Sequence, residues 1–157
     1  MKILGWNCRG MLSTTAVREL LDLQERARAD LIFLSESHLN NCKADELRRV
    51  LSFDSMFVVE SDGQAGGLVL FYHKVNKVEL NYISANFIDI LFMNEEVVQW
   101  RFTGFHGHPN WGDRNLSWED IRNLYHKGNH PWVILGDFNE ILYSSEKEGG
   151  TARPNGM

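Results

Sequence analysis

Cysteine is scarce in this chain: only Cys8 and Cys42 occur in 157 residues. They show neither CxxC spacing nor a secreted disulfide framework, so a reducing compartment is expected. Long apolar runs are missing too. None approaches the roughly 18 residues of a membrane span, and the start of the chain, Met1 to Trp6, lacks the apolar stretch of a signal peptide. An intracellular protein with no membrane partner is the expectation. Positive charge is in deficit: sixteen Lys and Arg face twenty-one Asp and Glu, a net charge of −5. A domain that simply coats phosphates would be basic. An enzyme that holds a cation is less constrained, because the ion brings its own positive charge. No internal repeat or low-complexity tract interrupts the chain. What is present is ordinary for a globular protein, 43% hydrophobic and 24% charged, at a length that suits one domain with a real core.

The pattern begins strand, helix, strand. Lys2 to Trp6 reads as a short buried strand, ended by a turn at Asn7-Cys8-Arg9-Gly10. Thr14 to Ala29 reads as a helix with Val17, Leu20, Leu21, Gln24 and Ala27 on one face, capped by Ser13 or Thr14. Leu31 to Leu34 is an apolar run typical of a strand covered on both faces. Lys43 to Leu51 reads as a second helix. Met56 to Glu60 and Gly67 to Tyr72 read as strands around a turn-rich Ser61 to Gly66. Val75 to Ser84, Phe87 to Met93 and Val97 to Phe105 read as further strands, the last two joined by an Asn94-Glu95 turn. Asn115 to Lys127 reads as a helix, and Trp132 to Leu135 as another buried strand running into Gly136-Asp137. This order predicts an α/β protein with a largely antiparallel middle, in four layers with two sheets between helices.

Polar groups stand where the apolar runs stop. Asn7 follows the first strand, Glu36 follows Leu31 to Ser35, and Asp137 and Asn139 follow Val133 to Gly136. Strands lying side by side would bring these ends to one rim, where ligands of α/β sheets bind. Hydrolysis of a phosphodiester needs such a set. The anion repels a nucleophile, so a hard cation must neutralise it. Magnesium takes oxygen ligands, usually only one or two protein carboxylates, and keeps its waters. Glu36 suits that ligand role and Asp137 can orient or deprotonate the attacking water. Asn7 and Asn139 add hydrogen bonds without negative charge. Singly, each residue also reads as a turn former, a helix cap or a solvated carboxylate; the combination carries the argument.

The ordered series Trp6-Asn7-Cys8-Arg9-Gly10, Ser35-Glu36-Ser37-His38, Gly66-Gly67-Leu68 and Leu135-Gly136-Asp137-Phe138-Asn139-Glu140-Ile141-Leu142 resembles the motifs of the endonuclease/exonuclease/phosphatase superfamily. With Gly104-Phe105-His106-Gly107-His108-Pro109, Ser117-Trp118 and Glu146-Lys147-Glu148-Gly149-Gly150, it most resembles the endonuclease domain of plant LINE-type (non-LTR) retrotransposons. The resemblance implies a DNase-like two-sheet sandwich with a Mg2+ or Mn2+ site, DNA as substrate and a nuclear location. By position it implies metal binding by Glu36 and Asn7, and catalytic roles for Asp137, Asn139, Asn7 and His106. Two departures stand out. His106 occupies a position where many members have tyrosine; a neutral imidazole can still donate to a phosphate. The family pattern also continues to a further aspartate and a Ser-Asp-His motif, whereas no histidine here follows Asp137.

The resemblance therefore describes a partial domain over 1–145, incomplete at the C-terminus, and a polar tail over 146–157. The alternative is a non-catalytic remnant used as an interaction module. His106-x-His108, Gly128-Asn129-His130 and Gly136-Asp137 also recur in calcineurin-like metallophosphatases, but in the opposite order. A zinc pair at His106 and His108 has the weaker claim, since loop histidines beside Gly and Pro are usually structural or exposed.

Overall fold

The computed structural model describes residues 1–61 and 66–140. Most of the expected Ser61 to Gly66 turn, the Ile141-Leu142 end of the last motif, the Glu146 to Gly150 motif and the 146–157 tail lie outside the described residues. The elements, in order, are β1 (Ile3–Asn7), α1 (Thr14–Ala27), β2 (Leu31–Ser35), α2 (Asn41–Val50), β3 (Ser55–Val59), β4 (Leu68–Tyr72), β5 (Val78–Ile83), β6 (Phe87–Asn94), β7 (Val97–His106), α3 (Arg114–Tyr125) and β8 (Trp132–Asp137). They form two four-stranded sheets, ordered β1-β2-β4-β3 and β5-β6-β7-β8. Each sheet is antiparallel except for one parallel pair at its edge, β1 with β2 and β7 with β8.

The two-residue period of a strand builds the layers. On β2, Ile32 and Leu34 join Leu20 of α1 and Ala44 and Leu47 of α2 in one core. The alternate residues Leu31 and Phe33 join Ile88, Ile90 and Phe102 of the other sheet in a second core. Leu124 and Ile121 of α3 pack with Phe87, Phe105 and Ile134 in a third. The result is the four-layer α/β sandwich read from the sequence: α1 and α2, first sheet, second sheet, α3.

Local chemistry sets the element ends. Ser13 caps α1 by accepting from the Ala16 N–H at 3.1 Å, and Arg28 closes the helix in the left-handed region. The helix thus stops before Ala29, short of the expected end. Asn40 caps α2 by accepting from the Lys43 N–H, which starts that helix at Asn41 rather than Lys43. The expected strand from Val75 begins only at Val78, because Lys74–Asn76 forms a 3-10 turn. The Asp54 carboxylate accepts the Lys74 N–H at 3.1 Å and holds that turn.

Burial also differs from the expectation. The apolar runs of β1 and β8 are expected from the sequence to be buried, as is that of β2. Every residue of β2 and β4 is buried, whereas β1 and β8 are half-buried, with Gly5, Val133 and Gly136 exposed. The reason is topological: β2 and β4 have strand neighbours on both sides, and β1 and β8 each have one among the described residues. The two edges face each other across the sandwich. A Cβ on Gly5 would lie 2.9 Å from the Leu135 side chain, so glycine there lets β1 and β8 approach.

Candidate active site

Register brings the strand ends together. In the first sheet Asn7 pairs with Ser35, one residue before Glu36. In the second, His106 pairs with Asp137. Both pairs are parallel, so the C-terminal ends of β1, β2, β7 and β8 open onto one rim.

The side chains then meet at Asn7. Its Nδ2 donates to Asp137 Oδ2 at 2.8 Å and to Glu36 Oε1 at 3.2 Å. His106 Nε2 also lies 3.2 Å from Glu36 Oε1. The Asn139 backbone N–H donates to Asp137 Oδ1 at 2.8 Å, and the Asn139 side-chain amide donates to the Gly107 carbonyl at 2.7 Å. Gly107 is needed there: a Cβ on it would sit 2.3 Å from the Phe138 carbonyl oxygen. The five residues singled out in the sequence, Asn7, Glu36, His106, Asp137 and Asn139, thus form one hydrogen-bonded cluster. Beside it, a cavity of about 300 Å³ has Asn7, Ser35 and Asp137 on its polar side and Trp6, Phe33 and Leu135 among its apolar walls.

The backbone at the rim is unusual. Arg9, Glu36, His38 and Asn139 all take positive φ, between 48° and 55°. Such conformations are costly for residues other than glycine and persist where the surroundings fix them. Here hydrogen bonds do so: Gly10 N–H to Glu36 O at 2.7 Å, Met11 N–H to Ser37 O at 2.9 Å and Ser37 N–H to Gly67 O at 3.0 Å. Glu36 consequently leaves the strand direction and turns its carboxylate toward Asn7.

Electrostatics favour an ionised Asp137. Burial works against its charge, but the Asn139 N–H and the Asn7 amide, with the positive influence of His106 and Arg9, hold the carboxyl below its usual range. Cys8, next to Asn7, behaves oppositely. Burial pushes its thiol up to about 11, and its Sγ faces the Ser35 carbonyl at 3.3 Å. It is not a nucleophile at neutral pH.

Other sequence candidates fall elsewhere. His108 does not join His106: its Nε2 lies 2.7 Å from Asn86 Nδ2, and its backbone N–H donates to Ser117 Oγ. The ring of His38 stands beside Gly10, where an added Cβ would lie 3.4 Å from its Nδ1. The two histidines face different partners, which disfavours the zinc pair; among the described residues no group of three or more His, Cys, Asp and Glu that could hold a metal ion occurs, at the rim or elsewhere. The donor set at the rim is two carboxylates and two carboxamides. That suits a hard, oxygen-seeking ion which keeps most of its waters, and Glu36 and Asp137, held close by one amide, concentrate negative charge at the rim.

Two contributors escaped the sequence reading. Arg9 stood in a quoted motif without a role, although a cation two residues after Asn7 was visible. Asn86, whose carbonyl accepts the His106 N–H at 2.7 Å, gives no sequence signal, because it arrives from the β5–β6 turn.

Fold and rim together define a DNase-like α/β sandwich with an acidic, carboxamide-rich site at the ends of two parallel strand pairs. Residues 4–157 match the Endonuclease/Exonuclease/phosphatase family, and the chain belongs to that family. Solved structures share the fold at low identity. D. rerio TDP2 humanised by 14 mutations is 16% identical with a TM-score of 0.65, over 90% of this chain and 67% of that one. The endonuclease domain of TRAS1, a telomere-specific non-LTR retrotransposon, is 14% identical with a TM-score of 0.61, over 88% and 60%. A variant of the 3′ phosphatase NExo from Neisseria, bound to a product DNA hairpin, is 16% identical with a TM-score of 0.63, over 92% and 60%. The chain therefore spans about two thirds or less of the length of these structures. No match was found among curated proteins.

Proposed function

We propose that this chain is a Mg2+- or Mn2+-dependent phosphodiesterase domain of the DNA-nicking kind found in LINE-type retrotransposons, acting on nuclear DNA. One observation carries the reading: a single carboxamide, Asn7 Nδ2, bridges the carboxylates Glu36 and Asp137 at the meeting of two sheets. Family membership and the likeness to DNA-processing folds support it. Glu36, with Asn7, would hold the ion. When bound, the ion neutralises the phosphate and stabilises the charge developing on its oxygens.

The protein's own groups divide the remaining work. Asp137, kept ionised and aimed by the Asn139 N–H, accepts a hydrogen bond from the attacking water and so turns the water's lone pair toward phosphorus. Its lowered pKa makes it a better orienter than proton acceptor, since a strong general base titrates closer to the working pH. Asn7, with both amide hydrogens on Glu36 and Asp137, sets the two carboxylates relative to each other, and Asn139 has one amide hydrogen beyond the Gly107 bond to offer the phosphate without adding charge. Arg9 supplies a cation at the rim.

The net charge of −5 also favours a second reading, a non-catalytic interaction module derived from the same domain. Supercoiled plasmid incubated with the purified chain and Mg2+ separates the two. Nicking that disappears in both Glu36→Ala and Asp137→Ala supports the enzyme. A folded wild-type chain that leaves the plasmid intact rejects autonomous catalysis in favour of the module.

A further inference from the structure

We infer that His106 is a positioning residue for Glu36, holding one carboxylate oxygen so that the other is presented to a divalent cation. The inference rests on the metal-dependent reading above and refines it. Glu36 Oε1 receives the Asn7 amide and faces His106 Nε2, each at 3.2 Å, while no donor among the described residues reaches Oε2. The carboxylate is thus anchored on one side and open on the other. A carboxylate anion only accepts, so the contact assigns the proton of His106 to Nε2. A protonated Nε2 has no lone pair to give a metal. The ring acts through Glu36, as ring N–H groups and their acceptors steady the ligands of other metal centres.

The ring is itself held firmly. His106 is 7% exposed at the end of β7, its backbone N–H donates to the Asn86 carbonyl, and its β8 neighbour is Asp137. Glu36 is fixed from the backbone side by its left-handed φ of 51° and by the Gly10 N–H on its carbonyl. A glutamate otherwise loses side-chain freedom when it captures an ion. Here both ends are set beforehand.

Mn2+ binding to the full chain, followed through the spin-resonance signal of the free ion, tests this without relying on turnover. His106→Leu is expected to weaken Mn2+ binding by about 10- to 100-fold. His106→Gln, which keeps an N–H donor, is expected to stay much closer to wild type, and Glu36→Ala marks complete loss. Equal affinity in wild type and His106→Leu overturns the positioning role and leaves the metal-dependent reading standing, as does equal loss in the Gln and Leu variants. Failure of the wild type itself to bind Mn2+ removes both. Should His106→Leu not fold, 15N-histidine spectra of the wild type decide. An Nε2 that stays protonated on addition of Mg2+ supports the assignment, and a deprotonated, metal-shifted Nε2 overturns it.

Discussion

At the scale of single residues, the rim trades conformational comfort for placement. Glu36 and Asn139 are turned out of their strands by left-handed backbones that a helix or strand would never require. The same turns aim Glu36 at Asn7 and bring the Asn139 N–H onto Asp137. Asp137 shows what the arrangement does energetically. Its folded pKa lies below the ordinary value of 3.8 despite burial, so ionisation is easier in the folded chain than in the unfolded one. The sign follows from proton counting: above the unfolded pKa the stabilisation is fully present, and it is lost as the pH falls through the lower, folded pKa. Urea unfolding of wild type and Asp137→Asn at pH 6 and pH 3 checks this. The stability advantage of the wild type should shrink on acidification. An advantage that holds or grows at pH 3 would count against the charged network at the rim.

At the scale of elements, β6, the middle of β7 and the start of β8 carry a different polar cluster. Asp89, fully buried on β6, accepts from Arg101 Nε at 2.7 Å and from the Asn81 amide at 2.7 Å, and Thr103 also donates to it. Arg101 reaches on to the Leu124 carbonyl at the end of α3 and lies 4.5 Å from the Trp132 ring centre. Removing one partner of such a pair leaves an uncompensated buried charge. Asp89→Ala should therefore cost about 3–5 kcal/mol, while Asp89→Leu combined with Arg101→Met should cost less than either single change. Chemical denaturation of the single and double variants measures it, and additive losses would refute the coupling. None of this cluster was legible in the sequence, where Asp89 interrupts an apolar strand without naming its partner. The rim was legible for the opposite reason. Asn7, Glu36 and Asp137 each follow an apolar run directly, so strand ends alone place them. Element types were readable from the period of the apolar residues. The boundaries depended on side chains that capture a backbone N–H from a distance, such as Asp54 on Lys74, and periodicity does not see those.

At the scale of the whole molecule, the edges of the two sheets differ in how they are protected. β5 carries Glu79 and a bulge between Leu80 and Tyr82. Charge and bulging are two of the devices by which edge strands resist pairing with another chain. β1 and β8 have neither. Their sequences, ILGWN and WVILGD, carry no charge before the rim residue Asp137, their pairing is regular, and Val133 is 46% exposed. They also lie opposite each other at the same side of the sandwich, so their open edges add into one surface. Edge N–H and C=O groups beside apolar side chains template strand addition. Among the described residues β1 and β8 each have a strand neighbour on one side alone, and the chain should self-associate as its concentration rises. Val133→Lys places a charge on that edge some residues away from Asp137 and leaves the rim untouched. Sedimentation velocity over a concentration series should show a shift toward monomer in Val133→Lys relative to wild type, with Mn2+ binding retained. A wild-type chain that stays monomeric throughout, with a sharp cooperative melt, would refute the prediction.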